Sequence, residues 1–255
     1  MDRADVTVVC CYNDPKQYRK LTEDLARQHY NYTLIGIDNC GKQYSSCAKA
    51  LNAATAQVKT EYVIYSHQDI ELPDADMLGN FVDYLFMTQE EDILGVAGAV
   101  EDDSKQAREH TCVLSKVRHG RKQAVAGERE YSGCETVDEC FFGGHTDFFL
   151  HHPFDEKLCD NWHLYGVERC MYTRAKGNKV YVCDIPLIHT STGTISRAYN
   201  KGFYRVAKRY AGEDEGEGTT SLKWLRTVCG SSQTDLLHRL LFYWKREILI
   251  RLNRY

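Results

Sequence analysis

The chain opens with unbroken apolar runs that alternate with segments of helical periodicity. Val6-Thr7-Val8-Val9-Cys10-Cys11, Tyr32-Thr33-Leu34-Ile35-Gly36-Ile37 and Tyr62-Val63-Ile64-Tyr65-Ser66 are rich in β-branched and aromatic residues and read as buried strands. Between them, residues 17–28 place Tyr18, Leu21 and Leu25 on one helical face, and residues 47–58 do the same with Ala48, Leu51 and Ala54. Strands apolar on both faces, joined by helices, predict an α/β fold: a mostly parallel twisted sheet flanked by helices. Each strand ends abruptly in polar side chains: Tyr12-Asn13-Asp14-Pro15, then Asp38-Asn39, then His67-Gln68-Asp69. The carboxyl ends of parallel strands border the crevice where such sheets bind ligands. The last of these strands delivers an acid there, so a metal-bound phosphate at Asp69 is the leading expectation.

The pattern continues with a helix from Pro73 to about Thr88 and a fourth apolar run, Ile93 to Val100. Residues 101–130 are polar and weakly periodic, and read as a loop or β-excursion that could act as a lid. Thr136 to Gly144 resumes the sheet. A helix is expected from Asn161 to Lys176 with Gly177 after it, a strand from Lys179 to His189, and a short helix from Gly202 to Tyr210. The domain reading is residues 1–211 as one α/β unit carrying the ligand site, an acidic glycine-rich hinge at 212–218, and a basic amphipathic helical tail at 219–255.

Composition narrows the function. The 255 residues carry a net charge of −4, which argues against nucleic-acid binding through a basic surface. Eleven cysteines without a repeated C-x-x-C pair read as mostly reduced thiols of a cytosolic protein. No apolar run is long enough to span a bilayer, so the expected location is cytoplasmic. In the tail, Leu236, Leu237, Leu240, Leu241, Trp244, Ile248 and Leu252 recur at helical spacing beside His238, Arg239, Lys245, Arg246, Arg251 and Arg254. Such a helix caps its own domain, forms a homodimer contact, or lies peripherally on an anionic inner membrane face.

Taken together, V-V-C-C-Y-N-D at 8–14, I-D-N at 37–39, L-N-A-A at 51–54, H-Q-D-I at 67–70, F-D-E at 154–156, W-H-L-Y-G-V-E at 162–168, R-A-K-G at 174–177 and P-L-I-H at 186–189 resemble family-2-type glycosyltransferases of the GT-A fold. The resemblance covers roughly residues 6–210, and its order and spacing carry the weight. It implies transfer of a sugar from a nucleotide-diphosphate sugar donor to a carbohydrate or lipid-linked acceptor, assisted by Mn²⁺ or Mg²⁺. It places Asp38 on the nucleotide base. His67-Gln68-Asp69 stands where many relatives have Asp-x-Asp, which puts Asp69 on the metal, and His189 matches a further metal ligand. One carboxylate with histidine suits Mn²⁺ better than Mg²⁺.

Tyr12, Asn13, Asn39, Asn52, His67 and Gln68 are candidate nucleotide contacts; Asn13 also reads as a helix N-cap, Asn39 as a turn former and Asn52 as a packing residue. Trp162 and His163 are candidates for the sugar or acceptor site, Trp162 offering a flat apolar face. A carboxylate that takes the acceptor proton is also expected. Here the resemblance departs from its pattern, because Gly166 stands where relatives place that acid. Asp138, Glu139 and Glu168 are the remaining candidates. The rival reading is a non-catalytic GT-A-like protein that binds a nucleotide or a partner.

Overall fold

The computed structural model describes residues 6–101, 111–115, 118–119, 122–123, 131–190, 196–210, 244–245 and 247–252. In chain order the first half comprises β1 (Val6–Tyr12), α1 (Pro15–Ala26), β2 (Thr33–Asp38), α2 (Cys47–Thr55), β3 (Tyr62–Ser66), β4 (Ile70–Glu71) and α3 (Met77–Leu85). Then come β5 (Ile93–Gly95), β6 (Ala97–Glu101), β7 (Thr111–Ser115), β8 (Arg118–His119), β9 (Lys122–Gln123), β10 (Tyr131–Cys134), β11 (Thr136–Val137) and β12 (Phe141–His145). The last elements are α4 (Thr146–His151), α5 (Tyr165–Ala175), β13 (Val180–Cys183), β14 (Ile188–His189) and α6 (Arg197–Tyr210).

A seven-stranded sheet in the order β10-β13-β5-β12-β3-β1-β2 forms the centre. β1 pairs in parallel with both β2 and β3, as the alternating strand–helix pattern requires. β12 inserts antiparallel between β3 and β5, and β10 closes the far edge antiparallel to β13. β1, β2, β3, β5 and β13 therefore share one direction, and β10 and β12 oppose it.

Alternation along the strands sends side chains into two cores. Val6, Val8 and Cys10 of β1, with Tyr62 and Ile64 of β3, pack beneath α1 and α3 against Leu21, Leu25, Leu78 and Phe81. Val9, Val63 and Tyr65 face the other way and join Ala48, Leu51, Phe142, Phe149 and Tyr165 under α2, α4 and α5. Burying a side chain of this size contributes about 1.5–3 kcal/mol, so each layer is fixed by many such contacts.

Helix ends are set locally. Asp14, not Asn13, caps α1: its carboxylate accepts from the Lys16 and Gln17 N–H groups, with Pro15 entering the first turn. Several downstream boundaries differ from the sequence expectation. The run at 93–100 splits into β5 and β6, which belong to different sheets, and a Cβ on Gly95 would stand 2.6 Å from the Val137 side chain. The expected strand from Lys179 to His189 breaks into β13 and β14, because Pro186 has no N–H for a ladder and the Leu187 N–H turns back to the Ile185 carbonyl. The helix expected from Asn161 starts only at Tyr165, since Leu164 sits at φ +70° in the left-handed region, which does not continue a helix.

α6 begins earlier than expected, at Arg197; Gly202 lies inside it, where a Cβ would meet Asn161 Nδ2 at 3.0 Å. Of the 101–130 excursion, strands β7, β8 and β9 are described; the rest of it and the 212–218 hinge lie outside the described residues. In the tail, residues 244–245 and 247–251 are helical, and Glu247 is buried against Arg197 and Asn200 at 2.9 and 3.0 Å.

Candidate active site

The carboxyl ends of β1, β2 and β3 meet at one cleft of about 200 Å³, lined by Cys11, Tyr12, Asn13, Asn39, Cys47, His67, Gln68, Asp69, Trp162 and Tyr165. Gln68 ties two of these strand ends together. Its side-chain oxygen accepts the N–H groups of Asn13 and Asp14, both at 2.9 Å, and its amide nitrogen donates to Asn13 Oδ1 at 2.9 Å. Tyr12 stacks on Tyr18 at the rim, with ring centroids 3.9 Å apart and planes 7° from parallel. Asp38 is exposed beside Tyr12; the Cys40 N–H, at 2.8 Å, together with Tyr12, holds its carboxyl below the usual range. Asn39 is buried, its side chain bridging the N–H and carbonyl of Tyr44.

The floor of the cleft is a histidine–aspartate–histidine group. β14 pairs with β4, setting His189 opposite Ile70, the neighbour of Asp69. His189 Nε2 lies 3.4 Å from Asp69 Oδ2, His67 Nδ1 lies 3.9 Å from Asp69 Oδ1, and the two ring nitrogens are 3.5 Å apart. Tyr165 holds the other His67 nitrogen, Nε2, at 3.0 Å, so Nδ1 is the nitrogen that faces the group. Burial lowers the His67 pKa and favours a neutral ring. Burial opposes charge at His189 as well, but the hydrogen bond and charge of Asp69 and the charge of Asp138 raise its pKa above the ordinary value. One atom from each of His67, Asp69 and His189 lies within 4.8 Å of the others, which is the spacing of a divalent-metal site.

Residues 7–210 match a glycosyltransferase-like family. The chain belongs to that family. Among solved structures it is similar to S. aureus TarS 1–349 in complex with UDP, at 15% identity and TM-score 0.59, over 91% of this chain and 74% of that one. The same S. aureus protein in complex with UDP-GlcNAc aligns at 13% identity and TM-score 0.58, over 92% and 78% of the two chains. GalNAc-T7 with UDP, GalNAc and Mn²⁺ aligns at 12% identity and TM-score 0.53, over 88% of this chain and 54% of that chain. No curated protein matches by sequence. The structural likenesses establish the GT-A fold.

Within this glycosyltransferase-like domain, Tyr12, Asn13, Asn39, His67, Gln68, Asp69 and Trp162 line the cleft together, and His189 stands behind Asp69 at 3.4 Å. Trp162 is 41% exposed. His163 turns away, its ring edge-on to Tyr199 at 5.4 Å. Asn52 binds the Phe154 N–H and carbonyl at 2.9 and 3.0 Å and so pins α2 to the 154–156 loop. Glu168 is 3% exposed, takes the Tyr210 O–H at 2.6 Å and pairs with Arg169, joining α5 to α6. Asp138 and Glu139 occupy the turn between β11 and β12. The Asp138 carboxylate accepts from the Cys140 N–H at 2.8 Å; burial works against its charge, but His67, that N–H and His189 together bring its pKa down. Glu139 accepts from the Gly166 N–H at 2.9 Å.

Sequence reasoning did not single out Tyr165, Cys11 or Cys47. Tyr165 stood inside the quoted W-H-L-Y-G-V-E motif. Its role became visible only when β3 and the start of α5 were set side by side.

Proposed function

We propose that this chain is a metal-assisted glycosyltransferase that moves a sugar from a nucleotide-diphosphate sugar to a carbohydrate or lipid-linked acceptor. The observation that carries the reading is the convergence of His67, Asp69 and His189 beneath a cleft rimmed by the ends of β1 and β2. The set fits a divalent cation: two imidazoles and one carboxylate, with His67 oriented from behind by Tyr165. Two nitrogen donors favour Mn²⁺ over Mg²⁺, which prefers oxygen throughout. A cation bound there supplies charge to offset the diphosphate leaving group.

The protein's own groups do the rest. Asp38 and Asn39 at the end of β2, with Tyr12 and Asn13 at the end of β1, hold the nucleoside, the exposed Asp38 carboxylate accepting an N–H of the base. Gln68 keeps the β1 and β3 ends in register. Trp162 faces the sugar or the acceptor. The uridine-nucleotide complexes of TarS and GalNAc-T7 support a uridine donor. The unit that carries this activity is residues 1–211, followed by the 212–218 hinge and the 219–255 tail; no helix among the described residues is long and apolar enough to cross a membrane.

Nucleotide release from a panel of UDP- and GDP-sugars, with and without Mn²⁺, tests the reading. Turnover that depends on Mn²⁺ and falls about 100-fold or more in Asp69→Ala is expected, since even groups behind a metal ligand are worth 10–100-fold. Turnover unaffected in that variant contradicts it. The rival, a nucleotide-binding protein without activity, is favoured by Gly166 at the position where relatives carry an acid; binding without turnover of any donor selects it.

A further inference from the structure

Gly166 leaves a hole at the start of α5, and the hole is filled. A Cβ at Gly166 would stand 2.9 Å from Glu139 Cγ, closer than real Cβ contacts allow, so the side chain of Glu139 occupies the space a side chain at 166 would take. Its carboxylate Oε1 accepts the Gly166 N–H at 2.9 Å. No side chain at the N-cap position satisfies this helix: Leu164 precedes it at φ +70° and offers no oxygen. The carboxylate arrives instead from the turn between β11 and β12, which the Asp138 N–H fixes to the Ala97 carbonyl at 2.8 Å. The preceding residue of α5, Tyr165, lines the cleft and bonds His67 at 3.0 Å.

We infer that Glu139 is the general base of this enzyme, a carboxylate moved from helix α5 onto the neighbouring turn, with Gly166 as the residue that makes room for it. The inference rests on the glycosyltransferase reading and assigns its missing catalytic group. In the step, the acceptor hydroxyl gives its proton to the Glu139 carboxylate while its oxygen lone pair forms the bond to the anomeric carbon. The bond from that carbon to the diphosphate breaks, and its electron pair leaves with the diphosphate. The environment suits the role. Burial, with the neighbouring charge of Asp138 adding to it, pushes the Glu139 pKa up to about 8, against the pull of the Gly166, Leu164 and Val167 N–H groups. A base poised near neutral pH takes a proton more effectively than an ordinary carboxylate. The other two carboxylates are otherwise engaged: Glu168 is buried on Tyr210 and Arg169, and Asp138 accepts the Cys140 N–H within its own turn.

Glu139→Gln tests this, because the amide oxygen keeps the acceptor for the Gly166 N–H while the base is lost. The wild-type chain is assayed first for nucleotide release from sugar donors with Mn²⁺; absence of turnover there refutes the functional reading itself. Given turnover, Glu139→Gln is expected to lose at least about 100-fold in kcat, the low end for general-base catalysis. Its donor KM should stay within about threefold, and the limb of activity that rises with pH should vanish. Gly166→Ala, which presses on Glu139 Cγ, should lower kcat about tenfold with donor KM likewise unchanged. Glu139→Asp, which keeps a carboxylate one methylene shorter, should retain part of the activity and the pH limb, and serves if the glutamine variant folds poorly. A glutamine variant within about fivefold of wild type, or one that keeps the wild-type pH profile, overturns the assignment, as does Glu139→Asp showing wild-type kcat without a pH limb.

Discussion

The two halves of the sheet were built by different rules. From β1 to β3 each strand is one unbroken apolar run, joined to the next by a single helix, and the pairing is parallel throughout. From β5 to β14 the runs are cut short. β5 and β6 are separated only by Val96 yet lie in different sheets, β11 and β12 flank a three-residue turn, and β13 and β14 are split around Pro186. The first half is a scaffold whose strand ends present polar side chains side by side. The second half folds back across it, places Trp162 and Tyr165 in the cleft and sets His189 beside Asp69, with Glu139 behind Tyr165 on the Gly166 N–H. On the proposed reading, the nucleotide is held by the regular half, and the metal site is shared between the halves, His67 and Asp69 from one and His189 from the other.

The largest effect expected from breaking this arrangement is at the seam. β12 inserts antiparallel beside β3, and a Cβ on Gly143 would stand 2.2 Å from the Val63 carbonyl oxygen and 3.1 Å from Ile64 Cα. Backbone cannot yield as a flexible side chain does, so Gly143→Ala should cost about 3 kcal/mol, the upper end for overpacking, read from the urea midpoint. An unchanged midpoint means the two halves meet less tightly than described.

Tyr165→Phe probes the link without disturbing either half. It removes the hydroxyl on His67 Nε2 and keeps the ring, which is packed among Phe142 and Phe154. Mn²⁺ affinity should fall about tenfold, the low end for a group that orients a ligand, with the melting temperature nearly unchanged. Equal affinity would show that His67 needs no support from α5.

The remaining effect concerns Glu139 and has a definite sign. Its pKa rises on folding from 4.5 to about 8, so the native chain holds a proton that the unfolded chain has lost. Stability from this group is fully present below pH 4.5 and drains away as pH climbs to about 8. Glu139→Gln has no such slope, so its melting temperature should gain on wild type across that window and hold the gain above it. A constant difference across the window contradicts the raised value.

Much of the first half was legible in the residues. Val6 to Cys11 and Tyr62 to Ser66 announce themselves because β1 and β3 are buried along nearly their whole length, and Thr33 to Ile37 does so through its branched residues although β2 is a partly exposed edge strand; the polar residues at their ends are read off with them. His189 stood at the end of an expected strand, but its part as a ligand, like the candidacy of Trp162, came through the family resemblance. What stayed hidden depends on non-local contacts. Nothing in Ile93 to Val100 says that the strand must change sheets; that follows from Val137 lying across Gly95. Helix periodicity at 161–176 does not reveal that Leu164 is left-handed. Asn52 reads equally as a ligand contact or a packing residue, and the partners that give it a packing role, at 154–156, are a hundred residues away. Gly166 read as a missing acid because the side chain that fills the space beside it comes from the distant turn between β11 and β12.

The central claim is that His67, Asp69 and His189 hold a cation against a nucleotide diphosphate, and thermal unfolding with UDP or GDP, with and without Mn²⁺, tests it most directly. A ligand that binds the native state alone raises its stability by about 2.7 kcal/mol at a hundred times its Kd. The account predicts that the nucleotide raises the melting temperature only when Mn²⁺ is present, and that Asp69→Ala abolishes the rise. Equal stabilisation without the metal, or in Asp69→Ala, would contradict it.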